Sequence, residues 1–109
     1  METTMMNSKT ENQYFLNEVM DLNPKQLLLR VYDFALEGCK NRDAEKTNNA
    51  ISQLITSLNF DTEETNKISG ELFRLYEYCK EESGKGNFEI VEQILGGLKQ
   101  SWSEIFNAN

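Results

Sequence analysis

The 109-residue chain contains no histidine. That single absence removes the commonest general base, the commonest metal ligand and the side chain that most readily changes charge near neutral pH. Only carboxylates or lysines remain to activate a Ser, Thr or Cys nucleophile, and no such pair is marked in the sequence. A di-metal bundle site would need Glu-x-x-His, which does not occur. The fragment "GKGN" lacks the upstream glycine and the following Ser or Thr of a phosphate loop, so it reads as a turn. No enzyme, cofactor or metal site is expected.

Positive charge is also scarce. Eleven Lys and Arg stand against eighteen Asp and Glu, giving a net charge of −7. No basic face is available to neutralise phosphates, which disfavours nucleic acid and anionic membrane surfaces as partners. The acidic doublets at Glu63 and Glu64 and at Glu81 and Glu82 read as solvated helix surface. No apolar run approaches the length of a membrane span. The opening "METTMMNSKTENQ" lacks the positive start, apolar run and small-residue cleavage site of a signal peptide, so a cytoplasmic protein without membrane insertion is expected. The only cysteines, Cys39 and Cys79, fall among helical apolar positions and read as reduced core thiols.

With one proline, 39% hydrophobic and 27% charged residues, the composition is that of a folded helical domain. A chain of this length serves one core. Residues 1–11 are polar and aperiodic and are expected to form a mobile tail, leaving 12–109 as a single domain. The proline stands where a helix begins: Asn23 precedes Pro24 and lies three residues before Gln26, combining an N-cap, proline at the first helical position and the glutamine of a capping box. That helix should run to about Asn41. Asp43 caps a second helix, carrying Ala50, Ile51, Leu54, Ile55 and Leu58 and ending around Asn59. Asp61 with Glu64 forms a further capping box for a third helix, which stops at "SGKGN" with Gly84 as left-handed cap. Asn87 caps a fourth helix reaching Phe106. Short connections force neighbours to run antiparallel. The expected fold is all-α, an antiparallel up-down four-helix bundle with a short N-terminal helical or extended segment near Tyr14 to Leu22 packing on it.

At about 100° per residue, the first helix spreads its apolar positions, from Phe34 and Leu27 through Val31, Tyr32 and Leu36 to Leu29, over an arc of about 220°. A single core contact needs far less. The fourth helix has an arc of roughly 160°, and the third a similar one with Tyr78 alone on the far side. Such widths leave apolar surface for a partner. Gly96 and Gly97 interrupt the fourth helix at a cost on the order of 1 kcal/mol each. They read either as a weak point or as the place where another helix backbone comes close.

These features resemble the flagellar export chaperones of the FliS family. Tyr14, Val19 and Pro24 keep the intervals of that family's lead-in, and "LLLRVYDFAL" supplies Leu27, Leu29, Val31, Tyr32, Asp33, Ala35 and Leu36 of its leucine-rich run. "ISGELFRLYEY" is similar to its Leu-Tyr-Asp-Tyr segment with Glu77 in place of Asp, and Leu95, Leu98 and Trp102 match its last helix. The similarity spans about residues 12–106. The chain departs from the pattern by a stretch between Asp33 and Asp43 shorter by about two helical turns, and by Glu81, Glu82 and Ser83 where the family has a basic pair and a leucine.

The resemblance implies a cytosolic type III secretion chaperone that binds the disordered C-terminal segment of flagellin in apolar grooves, prevents premature polymerisation and assists export, with the export apparatus as a further partner. Groove candidates are Leu29, Tyr32 and Leu36 on the outer side of the first arc, Asp33 at its boundary, and the amphipathic aromatics Tyr76, Tyr78 and Trp102. Tyr14, Val19 and Leu22 are candidate gate residues that cover the groove until a client displaces them, with a permanent core position as the alternative. The competing reading is a helical adaptor, or a homodimer that hides its arcs against itself when client-free. A small helical enzyme would require Arg30, Arg42 or Arg74 to meet a carboxylate in a pocket, and periodicity places Arg30 on the polar strip.

Overall fold

The Asn23 side chain accepts from the Gln26 N–H at 2.8 Å while the Gln26 side chain accepts from the Asn23 N–H at 3.1 Å, and with both end groups satisfied α1 runs Pro24–Lys40. The computed structural model describes residues 23–108. The tail expected over 1–11 and the N-terminal segment with Tyr14, Val19 and Leu22 lie outside the described residues. Asp43 caps α2, Ala44–Thr56, by accepting from the Lys46 N–H at 3.0 Å.

α2 stops three residues short of Asn59. Ser57 Oγ donates to the Leu54 carbonyl at 2.7 Å, a local bond that competes with helix continuation. The Asn59 side chain then accepts from the Asp61 N–H at 2.8 Å, which holds Asp61 in a turn. The cap of α3, Glu63–Gly84, therefore falls one residue later than expected. Thr62 and Thr65, not Asp61 and Glu64, exchange the capping-box bonds, at 3.0 and 3.1 Å. Thr62→Ala should lower stability by about 1 kcal/mol in thermal unfolding, whereas Asp61→Ala should change it by a few tenths.

Two further expectations at the next turn are corrected. The left-handed residue is Gly86, with φ of 85°, not Gly84. Asn87 precedes α4, Phe88–Asn107, without capping it; its side-chain amide donates to Glu82 at 3.1 Å instead.

The ion pairs Glu37–Lys46 and Asp33–Lys99 and the contact of Arg42 with Glu89 run in opposite chain directions on the paired helices. α1 lies between α2 and α4, and α3 closes the ring against the same two. This is the antiparallel four-helix bundle expected from the sequence. Its interior holds Tyr32, Ala35, Cys39, Ile51, Leu54, Tyr76, Cys79, Val91 and Leu95. Both thiols are buried and free. Burial, with the neighbouring Cys39 thiol adding, pushes Cys79 up to about 11.

The close helix approach read into the glycines occurs elsewhere. A side chain at Gly96 or Gly97 would meet nothing within 4 Å, and α4 runs unbroken through both. At Gly38 a Cβ would lie 2.8 Å from the Thr47 backbone nitrogen, because α1 and α2 are joined by only Asn41 to Asp43 and converge there.

Candidate functional site

Antiparallel order brings the start of α1, the end of α2, the start of α3 and the end of α4 to one end of the bundle. The α2–α3 connection, residues 57–62, is the longest of the three among the described residues. Helices joined so loosely need not converge. Between them lies a groove of about 1590 Å³. Leu27, Leu28 and Val31 of α1 form one wall, and Ile68 and Leu72 of α3 the other. Ala50 and Leu54 of α2 lie between, and Trp102 contributes from α4.

The lip is apolar and wet: Ile68 is 56% and Leu27 37% exposed. Phe60 stands exposed on the adjacent connection. Along α2 the groove meets Asn49, Ser52, Gln53 and Thr56, which are polar but uncharged, and the charged Asp43, Glu45 and Lys46 at the start of that helix. An amphipathic segment can bury its apolar stripe beside the uncharged stretch and meet the charges at the other end with its polar face.

Behind the walls lies a hydrogen-bonded aromatic group. Trp102 Nε1 donates to Tyr32 Oη at 3.1 Å, and the Tyr32 and Tyr76 hydroxyls are 2.6 Å apart. Burial raises the pKa of both phenols, so they stay neutral through the physiological range. Phe106 stacks on Trp102 with ring centres 5.9 Å apart, and Lys25 lies over Phe106, joining the ends of α1 and α4.

Of the residues singled out from sequence, Tyr76 and Trp102 line the groove. Tyr32 is completely enclosed behind them. Leu29, Asp33 and Leu36 do not line it: Asp33 pairs with Lys99 of α4, and Leu36 packs on the core. α4 covers that edge of the arc, so the open edge is the opposite one, with Leu27, Val31 and Phe34. Tyr78 lies on the outer surface with Phe73, in a shallow recess of about 540 Å³ that Arg74, Glu77, Lys80 and Glu81 also line. Arg30 sits over the Phe34 ring at 4.7 Å.

Sequence reasoning missed Leu28, Val31, Ile68 and Leu72 as wall residues. The arc width signalled surplus apolar surface on α1. Which edge faces a neighbour depends on where α4 packs, and a helical projection does not contain that.

Among the described residues no group of three or more Cys, Asp or Glu is placed to hold a metal ion. None of their helices is long and apolar enough to cross a membrane. Comparison with family models, with curated proteins and with solved structures returns no match.

Proposed function

We propose that this protein is a cytoplasmic export chaperone that holds the disordered C-terminal segment of flagellin as an amphipathic helix in the groove at the open end of the bundle. It would thereby prevent premature polymerisation and present the client to the type III export apparatus. The observation that carries this reading is the groove itself, with Ile68 and Leu27 exposed at its lip. Patches of this kind on small proteins mark interaction sites. The resemblance of α1, α3 and α4 to the flagellar chaperones supplies the client class. A segment that folds on binding gives up about 2–5 kcal/mol in ordering, which burial of its apolar stripe between the walls must exceed.

Pro24 is both the first residue of α1 and part of the groove lining. Tyr14, Val19 and Leu22 are proposed as a gate, and a protein lacking residues 1–22 should bind the client more tightly.

Calorimetric titration with the C-terminal flagellin segment, accompanied by circular dichroism, tests the proposal. Binding with a gain of helix beyond the sum of the parts is expected. Ile68→Glu should weaken it roughly a hundredfold, as for a central contact, while shifting the melting temperature by less than about 4 °C, because an exposed side chain contributes little to folding. No heat and no added helix from a folded protein would overturn the flagellin reading. In that event, mass that rises with concentration would mark the groove as a self-association surface.

A further inference from the structure

Charge is placed unevenly along the groove. Where α2 lines it through Asn49, Ser52, Gln53 and Thr56 there is none, and the lining of the open end, with Ser57, Asn59, Thr65 and Ser69, is polar without charge as well. Among the described residues every charged side chain of the lining, Asp43, Glu45 and Lys46, stands at the start of α2.

The three are not equivalent. Lys46 Nζ donates to Glu37 at 2.8 Å and lies over the Phe34 ring at 5.8 Å, so this cation is already matched within the protein. Asp43 uses one carboxylate oxygen to accept from the Lys46 N–H as the cap of α2. Among the described residues Glu45 meets no cation and no hydrogen-bond donor. The Asp43 and Glu45 residues are both exposed. Arg30 also lies over Phe34, at 4.7 Å, which sets two cations against the carboxylates of Glu37, Asp43 and Glu45. That end of the groove keeps a surplus of negative charge on groups that solvent, or a partner, can reach.

We propose that the groove selects its client by charge as well as by shape: it takes an amphipathic helix whose apolar stripe runs uncharged for about three turns and then meets a Lys or Arg, which Glu45 and Asp43 bind. The inference rests on the groove being the client site and adds what the client must carry, and where. At about 1.5 Å per residue, the stretch of α2 from Glu45 to Thr56 is about 16 Å long. Residues about three turns apart share a helix face, so a basic side chain at that distance from the apolar one held near Leu27 and Ile68 reaches the carboxylates while the stripe stays in the groove. A Glu or Asp at the same place would face two carboxylates, and a charge nearer the middle of the stripe would find only neutral groups. Both are discriminated against.

The test titrates the full chain at low salt with two synthetic amphipathic helices of Leu, Ala and Gln. They differ only at one end of the stripe, where one carries two lysines and the other two glutamates. The lysine helix should bind roughly tenfold more tightly, and the difference should shrink to less than about threefold in about 0.5 M salt. Glu45→Gln should reduce the preference and Glu45→Lys should reverse it, each melting within about 4 °C of the wild type because the side chain is exposed. Glu92→Lys changes the net charge by as much as Glu45→Lys does, from an exposed position on α4 outside the groove lining, and should leave the preference intact. A preference that survives Glu45→Lys, one that falls equally in Glu92→Lys, or a wild-type chain that binds neither helix or both alike would overturn the proposal. The C-terminal flagellin segment is titrated alongside. If it does not bind while the lysine helix does, with a preference that depends on Glu45, the flagellin reading fails and the charge selection stands.

Discussion

Replacing Gly38 by alanine is expected to destabilise the bundle by about 2 kcal/mol, lowering the melting temperature by roughly 10 °C. On α1 alone the substitution should help, since alanine is favoured over glycine in a helix by about 1 kcal/mol. The added Cβ, however, would lie 2.8 Å from the Thr47 backbone nitrogen and 3.1 Å from its Cα, and closest of all to Thr47 Oγ1. A hydroxyl can turn away; a helix backbone moves only with the helix. Thr47 is completely buried, with Oγ1 donating to the Asp43 carbonyl at 2.9 Å. Relief therefore requires α1 and α2 to separate, which opens the core around Cys39 and Ile51. Adding Thr47→Ala should rescue only part of the loss, because the backbone contacts persist, and a double-mutant cycle of melting curves reads the coupling directly. A neutral Gly38→Ala would mean that the two helices are further apart than described.

Raising the pH above about 9 should unfold the protein progressively. Cys79 titrates near 11 in the fold against an ordinary 9.0, and burial likewise raises Cys39, Tyr32 and Tyr76. The folded state holds these protons more tightly than the unfolded chain does. Below pH 9 both states are fully protonated at these sites, and the stabilisation is complete. As pH climbs past the ordinary values the unfolded chain releases protons first, and each unit within the gap removes about 1.4 kcal/mol per group. Cys79 alone then accounts for roughly 3 kcal/mol by pH 11. Without histidine, no side chain of ordinary pKa titrates near neutrality. Urea midpoints should accordingly be level between about pH 6 and 8 and fall steeply above 9. Cys79→Ala should flatten that fall.

Much of the fold was legible because the signals were local. Asn23, Pro24 and Gln26 name a helix start within four residues, and Asp43 does so almost alone. Where a local signal failed, a neighbouring residue decided the outcome. The box expected from Asp61 and Glu64 passes to Thr62 and Thr65, because Asn59 holds Asp61 in a turn. The left-handed position expected at Gly84 falls at Gly86, and the Asn87 side chain turns back to Glu82 and leaves α4 uncapped. The groove was half legible. The arc of α1 announced more apolar surface than one neighbour absorbs, but Leu27 and Leu29 are equally apolar. Only the seating of α4 distinguishes them. Gly38 was silent in sequence, lying one turn from a helix end where glycine ordinarily means a cap.

Arg42, the one non-glycine residue with positive φ among those described, at 54°, has a mechanical consequence. From the α1–α2 turn its guanidinium donates to the Gly86 carbonyl at 3.1 Å and to Glu89 at 3.3 Å, and covers the Phe88 ring at 5.1 Å. The two short turns are thus held together at the end of the bundle opposite Leu27 and Ile68, an end the groove reaches through Asp43 and Lys46. With the turns held at Arg42, widening the gap between Leu27 and Ile68 amounts to a tilt of α1, together with the end of α4 that Lys25 and Trp102 join to it, about that end. α1 is about 25 Å long by its helical rise, so a tilt of about 5° moves its far end by roughly 2 Å. That is enough to grip side chains of different bulk while every helix stays rigid.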